Sequence, residues 1–294
     1  MTIQHRWRII DYSSKDPAMN LAIDEAILRC LLEHHSPNTL RLWQNPPSVI
    51  IGCFQNPGSE VNIAACKKLG IDVLRRVSGG GAVYHDYGNL NYSLTVHKSS
   101  LKTHLEDVEK SYDLFCNGVI EGLKMLGIDA SNQGGDIIIG GKKVSGSAQH
   151  RLYDTILHHG TLMVDVNFDM LGRTLGVSDP GRRLINLNDI LPCKISLNKI
   201  KRAITKGFEK RFGVRLKERT LFPRERQIAK RLYEMKYNKR DWNIGMKKLI
   251  PLKEVSSRSL CSYAPTSTCR QISDLVNVRA CSMVEKKNCQ RRKS

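Results

Sequence analysis

Along the first 245 residues, the spacing of apolar side chains predicts a succession of short strands and amphipathic helices. WRIIDY, Trp7 to Tyr12, alternates as a strand does. DPAMNLAIDEAILRCLLEH then places Met19, Ala22, Ile23, Ala26, Ile27 and Cys30 at helical spacing, with Asp16 as N-cap. TLRLWQNPPSVIIGCFQN reads as strand, turn and strand, because Pro46-Pro47 interrupts an otherwise β-rich run. VNIAACKKLG is a short helix closed by Gly70, and IDVLRRVSGGGAVYHD is a strand, a glycine turn and a strand. GNLNYSLTV continues as a further strand.

A long amphipathic helix follows, LEDVEKSYDLFCNGVIEGLKMLG, stopped at Gly127. DIIIGGKKVSG has the form of a hairpin turning at Gly140-Gly141, TILHHGTLMVDV is a strand, and NFDMLGRTLGV is helical. LNKIKRAITKGFEKRFG and RERQIAKRLYEMKYNKRDWN are two more amphipathic helices. Hairpins mixed with helices, without regular βαβ repetition, predict a largely antiparallel α+β domain over residues 1–245. Residues 246–294 have weak periodicity and no core face, and are expected to be a poorly ordered basic tail.

Charge sharpens this division. The chain carries +19, and the tail holds eleven Lys and Arg against three acids, so the body is only moderately basic. Such a balance suits an acidic partner or an anionic substrate and does not by itself make a nucleic-acid-binding protein. No apolar run approaches the roughly 20 residues that span a bilayer, and the N-terminus lacks a secretory pattern. A cytoplasmic protein without a membrane partner is expected. Cys30, Cys53, Cys66, Cys116 and Cys193 lie scattered, with no CxxC pair, so free thiols are expected. His158 and His159 are adjacent on a strand and face opposite ways, so they cannot ligate one metal from one face. No metal ligands are assigned.

The glycine-rich stretch RRVSGGGAVYHDYGNLNYS, Arg75 to Ser93, is the main candidate for chemistry. It is no P-loop, and a strand follows it, which excludes a dinucleotide fingerprint. A plain glycine hairpin competes with an anion-binding backbone nest. Three consecutive glycines are entropically costly, so the second reading asks what needs bare backbone there. Alternation sends one of Arg75 and Arg76 into the site and the other away. A second basic, small-residue element, GGKKVSGSAQ, Gly140 to Gln149, offers one of Lys142 and Lys143 to the same face. Together they suggest a cradle for a polyphosphate or phosphoanhydride.

RRVSGGGAVYHDYGNLNYS, GKKVSGSA and LHHGTLMVD, in that order, resemble the lipoate–protein ligase A family within the biotin/lipoate ligase fold. The similarity runs from about Trp7 to Gly245 and includes SVIIGCFQN and YNKRDWNIG. It implies activation of lipoate by ATP, with Mg2+, to lipoyl-AMP, followed by transfer to a lysine of an acceptor lipoyl domain. The acceptors implied are lipoyl domains of 2-oxoacid dehydrogenase complexes or the glycine cleavage H protein. No protein nucleophile is required, so catalysis would be positioning and charge stabilisation.

By motif position, the resemblance puts Arg76 beside the nucleotide phosphates and makes Gly81, Ala82, Val83 and Tyr84 a backbone wall against the nucleotide. Lys143 would hold both the lipoyl carbonyl and the α-phosphate. Gly79, Gly80, His85 and Ala148 fall to the lipoate side; His85 and Asp86 either line the lipoyl tunnel or brace the loop. Arg183 and Asn186, in GRRLINLNDI, match the adenylate-binding loop region. Two departures stand out. Where many members carry Arg-Asn-Asp, this chain has QGGDIII and keeps only Asp136. Residues 246–294 also do not resemble the accessory C-terminal domain of single-chain ligases, which points to the split form, with a separate small protein supplying it.

The nearest rival is an octanoyl- or lipoyl-transferase of the same fold, and the Gln149 of SGSAQ resembles those enzymes. Its cysteine-dependent form needs a nucleophilic thiol near the lysine hairpin, and no cysteine occurs between Asn117 and Pro192. Outside the enzymes, a ligand- or nucleic-acid-binding protein on this fold would have no use for Arg76, the glycine loop and Lys143 together.

Overall fold

The computed structural model describes residues 6–101 and 107–245; the expected tail from residue 246 lies outside them. The strands and helices follow the chain as β1 (Trp7–Asp11), α1 (Pro17–Leu32), β2 (Asn38–Trp43), β3 (Ser48–Ile51), α2 (Pro57–Glu60), α3 (Ile63–Leu69), β4 (Asp72–Arg75), β5 (Val83–His85) and β6 (Asn89–His97). They continue as α4 (Val108–Lys124), β7 (Ser131–Gln133), β8 (Asp136–Ile139), β9 (Lys142–Leu152), β10 (Thr155–Met163) and α5 (Phe168–Leu175). The last are α6 (Leu187–Ile190), α7 (Leu197–Phe212), β11 (Lys217–Glu218), α8 (Pro223–Leu232) and α9 (Arg240–Asn243).

Eight strands form one sheet in the order β11-β1-β2-β6-β10-β9-β8-β7. All its pairs from β2 onward are antiparallel, and only β1 runs parallel to its neighbours. The expected α+β class, with a mainly antiparallel sheet and flanking helices, is what the chain adopts. A second sheet of three strands has the order β4-β3-β5.

Two pairings do not follow the order of the strands along the chain. β2 and β3, separated only by the Pro46-Pro47 turn, belong to different sheets. The strands flanking the glycine loop, β4 and β5, do not form a hairpin, because β3 lies between them, parallel to β4 and antiparallel to β5. The loop must therefore cross one strand, and a tight turn cannot do that.

Strand alternation divides the large sheet into two buried faces. Leu40 and Leu42 of β2 and Leu90, Tyr92, Leu94 and Val96 of β6 face the main apolar core, with Phe115, Val119 and Leu123 of α4 and Ile204 and Phe208 of α7. The intervening Thr39, Arg41, Asn89, Asn91, Ser93 and Thr95 are buried as well, on the opposite face, where α1 packs over β2, β6 and β10. Two further cores complete the packing, one between α1 and α8 and one around the small sheet.

Helix α1 begins as expected, with the Asp16 carboxylate accepting from the N–H groups of Ala18 and Met19. Yet it is buried almost all round, and its polar Asn20, Asp24 and Glu25 are buried too. Glu25 accepts from Lys236 Nζ at 2.7 Å and Tyr237 Oη at 2.5 Å, which ties α1 to the C-terminal segment. Burial alone would raise its carboxyl, but Lys236 and Arg29 outweigh this and hold it down at about 2. The same segment grips β4: Trp242 Nε1 donates to Arg75 O, and Arg75 donates to Trp242 O and from its N–H to Asn243 Oδ1.

Helices α4 and α7 meet at glycines. A Cβ on Gly207 would stand 2.3 Å from Gly118 O and 2.4 Å from Gly122 N, so only a hydrogen lets the two backbones approach this closely. Gly207→Ala is expected to destabilise the protein by about 1–3 kcal/mol through overpacking, read as a lower urea midpoint with an unchanged slope.

Candidate active site

The site is laid out by sheet register. Asp136 of β8 is paired with Gly146 of β9, which is paired with Thr161 of β10, then Asn91 of β6, then Trp43 of β2. The next row runs Ala148, His159, Ser93, Arg41. A cavity of roughly 200 Å3 lies over these rows and is closed by Leu21 of α1, Ile50 of β3 and Val83 and His85 of β5. Its two ends differ. Lys143 and Asp136 mark a polar end, whereas Trp43, Leu21 and Ile50 mark an apolar one. The Asp136 and Trp43 strands are four spacings apart, about 19 Å at roughly 4.8 Å per strand.

Lys143 reaches the cavity across Gly146. Its Nζ lies 2.8 Å from Asp136 Oδ1, and a Cβ on Gly146 would stand 2.7 Å from Lys143 Cε. The β8–β9 turn falls where expected, with Gly140 and Gly141 at φ 55° and 77°. A register shift between Ile137 and Ile138 follows, where β8 pairs with the lysine strand. Asp136 survives the QGGD departure geometrically, because Gly134 and Gly135, at φ 62° and 97°, make the turn that delivers it. Lys142 points the other way and donates to Gly181 O.

Arg76 and Arg75 divide as alternation requires. Arg75 turns out and donates to the carbonyls of Gly52, Cys53 and Gln55. Arg76 enters the cavity wall, where its Nε donates to Ser78 Oγ, Nη1 to Ile50 O, and Nη2 to Gly79 O at 2.5 Å and Gly81 O at 2.9 Å. Burial pushes its guanidinium down to about 10, still protonated near neutrality. Gly79 and Gly81 thus turn their carbonyls onto the arginine, and Gly80 brings its backbone against the β3–α2 loop, where a Cβ on Gly52 would lie 2.2 Å from Gly80 O. Four of the five guanidinium hydrogens are used, leaving one on Nη1 for a ligand.

Of the residues singled out from sequence, Arg76, Gly81, Ala82, Val83, His85, Asp136, Lys143 and Ala148 line one cavity. Gly79 and Gly80 serve the arginine instead. Tyr84 alternates to the other face of β5 and packs in the core of the small sheet with Val49 and Ile51. Asp86 braces the loop, accepting from the N–H groups of Gly88 and Asn167. Arg183 is exposed, but its carbonyl accepts from Lys143 N at 2.8 Å, and Ile185 N donates to Lys143 O at 3.0 Å. Residues 183–185 therefore act as a short backbone clamp on the lysine. Asn186 bonds both backbone groups of Val166 and holds that clamp in place.

Several cavity residues are not singled out from the sequence as site residues. His158 and His159 diverge as expected: His158 is buried among Tyr92, Tyr112 and Phe115, and His159 lines the cavity. His159 Nε2 is 2.6 Å from Ser78 Oγ and its Nδ1 is 3.8 Å from Asp24 Oδ2. Burial would raise the Asp24 carboxyl, but Arg41, His159 and Ser93 hold it below its ordinary value. Trp43 is fixed through Nε1 donating to Ser93 Oγ, which donates onward to Asp24. The one signal in the chain is the buried-strand alternation of Asn, Ser and Thr in β6, which marks a polar face under cover.

Among the described residues no thiol lines the cavity. Cys116 is the one nearest the lysine hairpin, with Sγ 3.8 Å from Ser147 Oγ, but it is fully buried in α4 and burial pushes it up to about 11. Gln149 lies on the far face of β9, accepting from Ser111 and Arg151. Among the described residues there is no cluster of three His, Cys, Asp or Glu that could hold a metal ion, and no helix long and apolar enough to cross a membrane.

A model of the lipoyl protein ligase A/B catalytic domain matches residues 16–209. The chain is 32% identical over 249 residues to lipoate-protein ligase A subunit 1 of Thermoplasma acidophilum, covering 78% of this chain and 92% of that protein. It is 33% identical over 267 residues to the octanoyltransferase LipM of Carboxydothermus hydrogenoformans, covering 80% and 97%. A crystal structure of lipoate-protein ligase A bound with ATP matches with a TM-score of 0.76 at 31% identity, over 82% of this chain and all of that one. The bi-partite lipoate protein ligase of Thermoplasma acidophilum, studied with its E2 lipoyl domain, matches at 0.75 and 30%, over 83% and 98%. The lysine hairpin, the wrapped arginine and the cavity between them therefore sit in a chain that belongs to the lipoyl protein ligase A/B catalytic-domain family.

Proposed function

We propose that this protein is the catalytic subunit of an ATP-dependent lipoate–protein ligase. It would join lipoate to ATP as lipoyl-AMP and pass the acyl group to a lysine of a lipoyl domain. The observation that carries this reading is the shared cavity: Lys143 at one end, the Gly81–Val83 backbone and Arg76 along the wall, and an apolar floor for the acyl chain. An ammonium at the polar end would offset the charge that builds as the carboxylate attacks the α-phosphate, and again as the acceptor amine attacks the anhydride. Asp136 orients Lys143 before substrate arrives. As the acidic residue among the described lining residues, it would be the side chain to meet Mg2+ brought in on the ATP phosphates, since that ion needs few protein carboxylates when phosphates supply the rest.

Arg76 has a narrower role in this reading than a free phosphate-binding arginine. It fixes the shape of the glycine loop and offers one remaining N–H, so its charge acts mainly as a buried field along the nucleotide wall. Residues 183–185 and Asn186 hold Lys143 rather than touch the adenylate. The matched ligases support ATP and lipoate as substrates, and the chain's resemblance to a protein named subunit 1, and to a bi-partite ligase, supports a separate small accessory protein. The basic body would steer acidic lipoyl domains, an attraction that salt screens.

The octanoyltransferase relatives keep a second reading in view, in which the acyl group arrives on a carrier. The cysteine-dependent form of that chemistry is disfavoured by the thiols themselves: none lies among the described lining residues, and Cys116 is held protonated by burial.

Three outcomes follow. Lys143→Ala should lower lipoate-dependent pyrophosphate release by about 10²–10³-fold, and full retained activity would displace the lysine from the reacting centre. Supplied with an octanoylated carrier protein and a lipoyl domain but no ATP, the enzyme should transfer no acyl group. Transfer that is abolished by thiol alkylation would establish the rival reaction. The purified chain alone should adenylate lipoate poorly and gain activity with an accessory-domain protein; robust adenylation without one contradicts the split assignment.

A further inference from the structure

The segment YNKRDWNIG, residues 237–245, supplies nothing to the described lining of the cavity, yet its side chains complete an edge of the small sheet. Within that sheet β4 is an edge strand, paired with β3 alone. Arg76 N donates to Ile51 O of β3, so Arg75, one residue earlier, turns its backbone groups outward. Two side chains stand there in place of a further strand. Asn243 Oδ1 accepts from Arg75 N at 3.0 Å, and Trp242 Nε1 donates to Arg75 O at 2.8 Å. Both are held in turn. Asn243 is buried, and its Nδ2 donates to Tyr237 O at 2.8 Å, which assigns both ends of the amide. The Trp242 ring lies 4.1 Å from the Lys236 ammonium, which is itself bonded to Glu25 of α1.

The Arg75 guanidinium carries this anchorage to the β3–α2 loop. Its Nε donates to Trp242 O at 2.8 Å, while Nη1 reaches the carbonyls of Gly52, Cys53 and Gln55 at 3.1, 3.1 and 2.7 Å. The loop so held supports the glycine run. Cys53 N donates to Ser78 O at 2.9 Å, the Phe54 ring sits beside Gly79, and Gly52 lies so close to Gly80 O that no Cβ would fit. Glycines bring no side chains to fix their own course. The shape of residues 78–81 is therefore imposed by Arg76 and by the 52–55 loop, and this run leads directly into the Gly81–Val83 wall of the cavity.

We infer that Trp242 and Asn243 are positioning residues for the nucleotide, acting through Arg75 and the Gly52–Gln55 loop on the glycine wall. The inference rests on the reading of that wall as the ATP site. Trp43 and Leu21 at the apolar end belong to β2 and α1, so loosening the brace weakens nucleotide binding and spares lipoate. Arg75 serves here by geometry rather than by charge. An ammonium in its place could not span Trp242 O and the loop carbonyls together, as the guanidinium fork does.

The test is calorimetric binding of ATP with Mg2+, and separately of lipoate, to the full chain and to Trp242→Phe, Asn243→Ala and Arg75→Lys, with thermal melting to confirm folding. Trp242→Phe keeps an aromatic ring and removes the donor to Arg75 O. Each variant should weaken ATP binding by about 3- to 10-fold and leave lipoate binding within about twofold. Trp242→Phe combined with Arg75→Lys should weaken ATP binding by less than the product of the two single effects, because both break one link. If any folded variant keeps ATP binding within about twofold, or loses ATP and lipoate equally, the inference is overturned while the ATP-site reading stands. Strictly multiplicative effects in the double variant overturn it too. If the unaltered chain binds lipoate but no ATP, the nucleotide reading falls and the inference with it. Should a variant fail to fold, hydrogen exchange on the unaltered chain decides. Coupling is reciprocal, so ATP must slow exchange over residues 240–245 where lipoate does not, and an unchanged rate there overturns the inference.

Discussion

Beneath the cavity, a guanidinium and a carboxylate are buried together. Arg41 is fully buried and donates to Asp24 Oδ1 at 2.6 Å. Neither charge could be buried alone; an unpaired partner would cost about 3–5 kcal/mol. Each therefore constrains what surrounds it, and their remaining hydrogen-bonding groups extend outward in two directions. From Arg41 the chain runs through Asn20 and Asn45 to His85. From Asp24 it runs through Ser93 to Trp43, and through His159 to Ser78 and Arg76. Groups along the wall of the acyl cavity are thus oriented from one buried pair, and the pair joins β2 to α1.

This explains why the large sheet tolerates a polar buried face. Asn, Ser, Thr and Arg on the cavity side of β2 and β6 would be costly under a purely apolar helix. Under α1, with Asn20 and Asp24 one turn apart, most of them find partners. The exceptions are few. Asn89 and Asn91 each keep one unpaired amide atom on this face, and His85 Nε2 is unpaired as well.

Much of this is legible in the chain. Period and caps place the longer helices and strands, including the Asp16 cap and the Gly140-Gly141 turn, but not the short α2, β7, α6 and β11. Alternation correctly divides Arg75 from Arg76, Lys142 from Lys143 and His158 from His159, because each pair lies on a strand or at its end, where neighbours must diverge. Pairing is harder to read. β2 and β3 part into separate sheets and β3 slips between β4 and β5, and those choices rest on partners far away in sequence. The glycine run reads as bare backbone for an anion, whereas two of its carbonyls are turned onto Arg76. Asn20, Asp24 and Asn45 carry no motif, and on a helical wheel the first two look like solvent-facing positions.

The same contrast bears on how ligase and transferase chemistry share one scaffold. The fold brings a lysine and an acyl cavity together whatever the activated donor is, and the cross-sheet rows that do so contain no group specific to ATP. What distinguishes the two reactions must lie at the polar end, in whether a thiol or a nucleotide phosphate meets the acyl carboxyl. In this chain the Cys116 thiol of α4 is buried against Gly135 O and Ser147 Oγ, while the lysine paired with Asp136 is exposed enough to meet a diffusing phosphate. A buried thiol and an accessible ammonium are what the proposed nucleotide-dependent reading requires of this end.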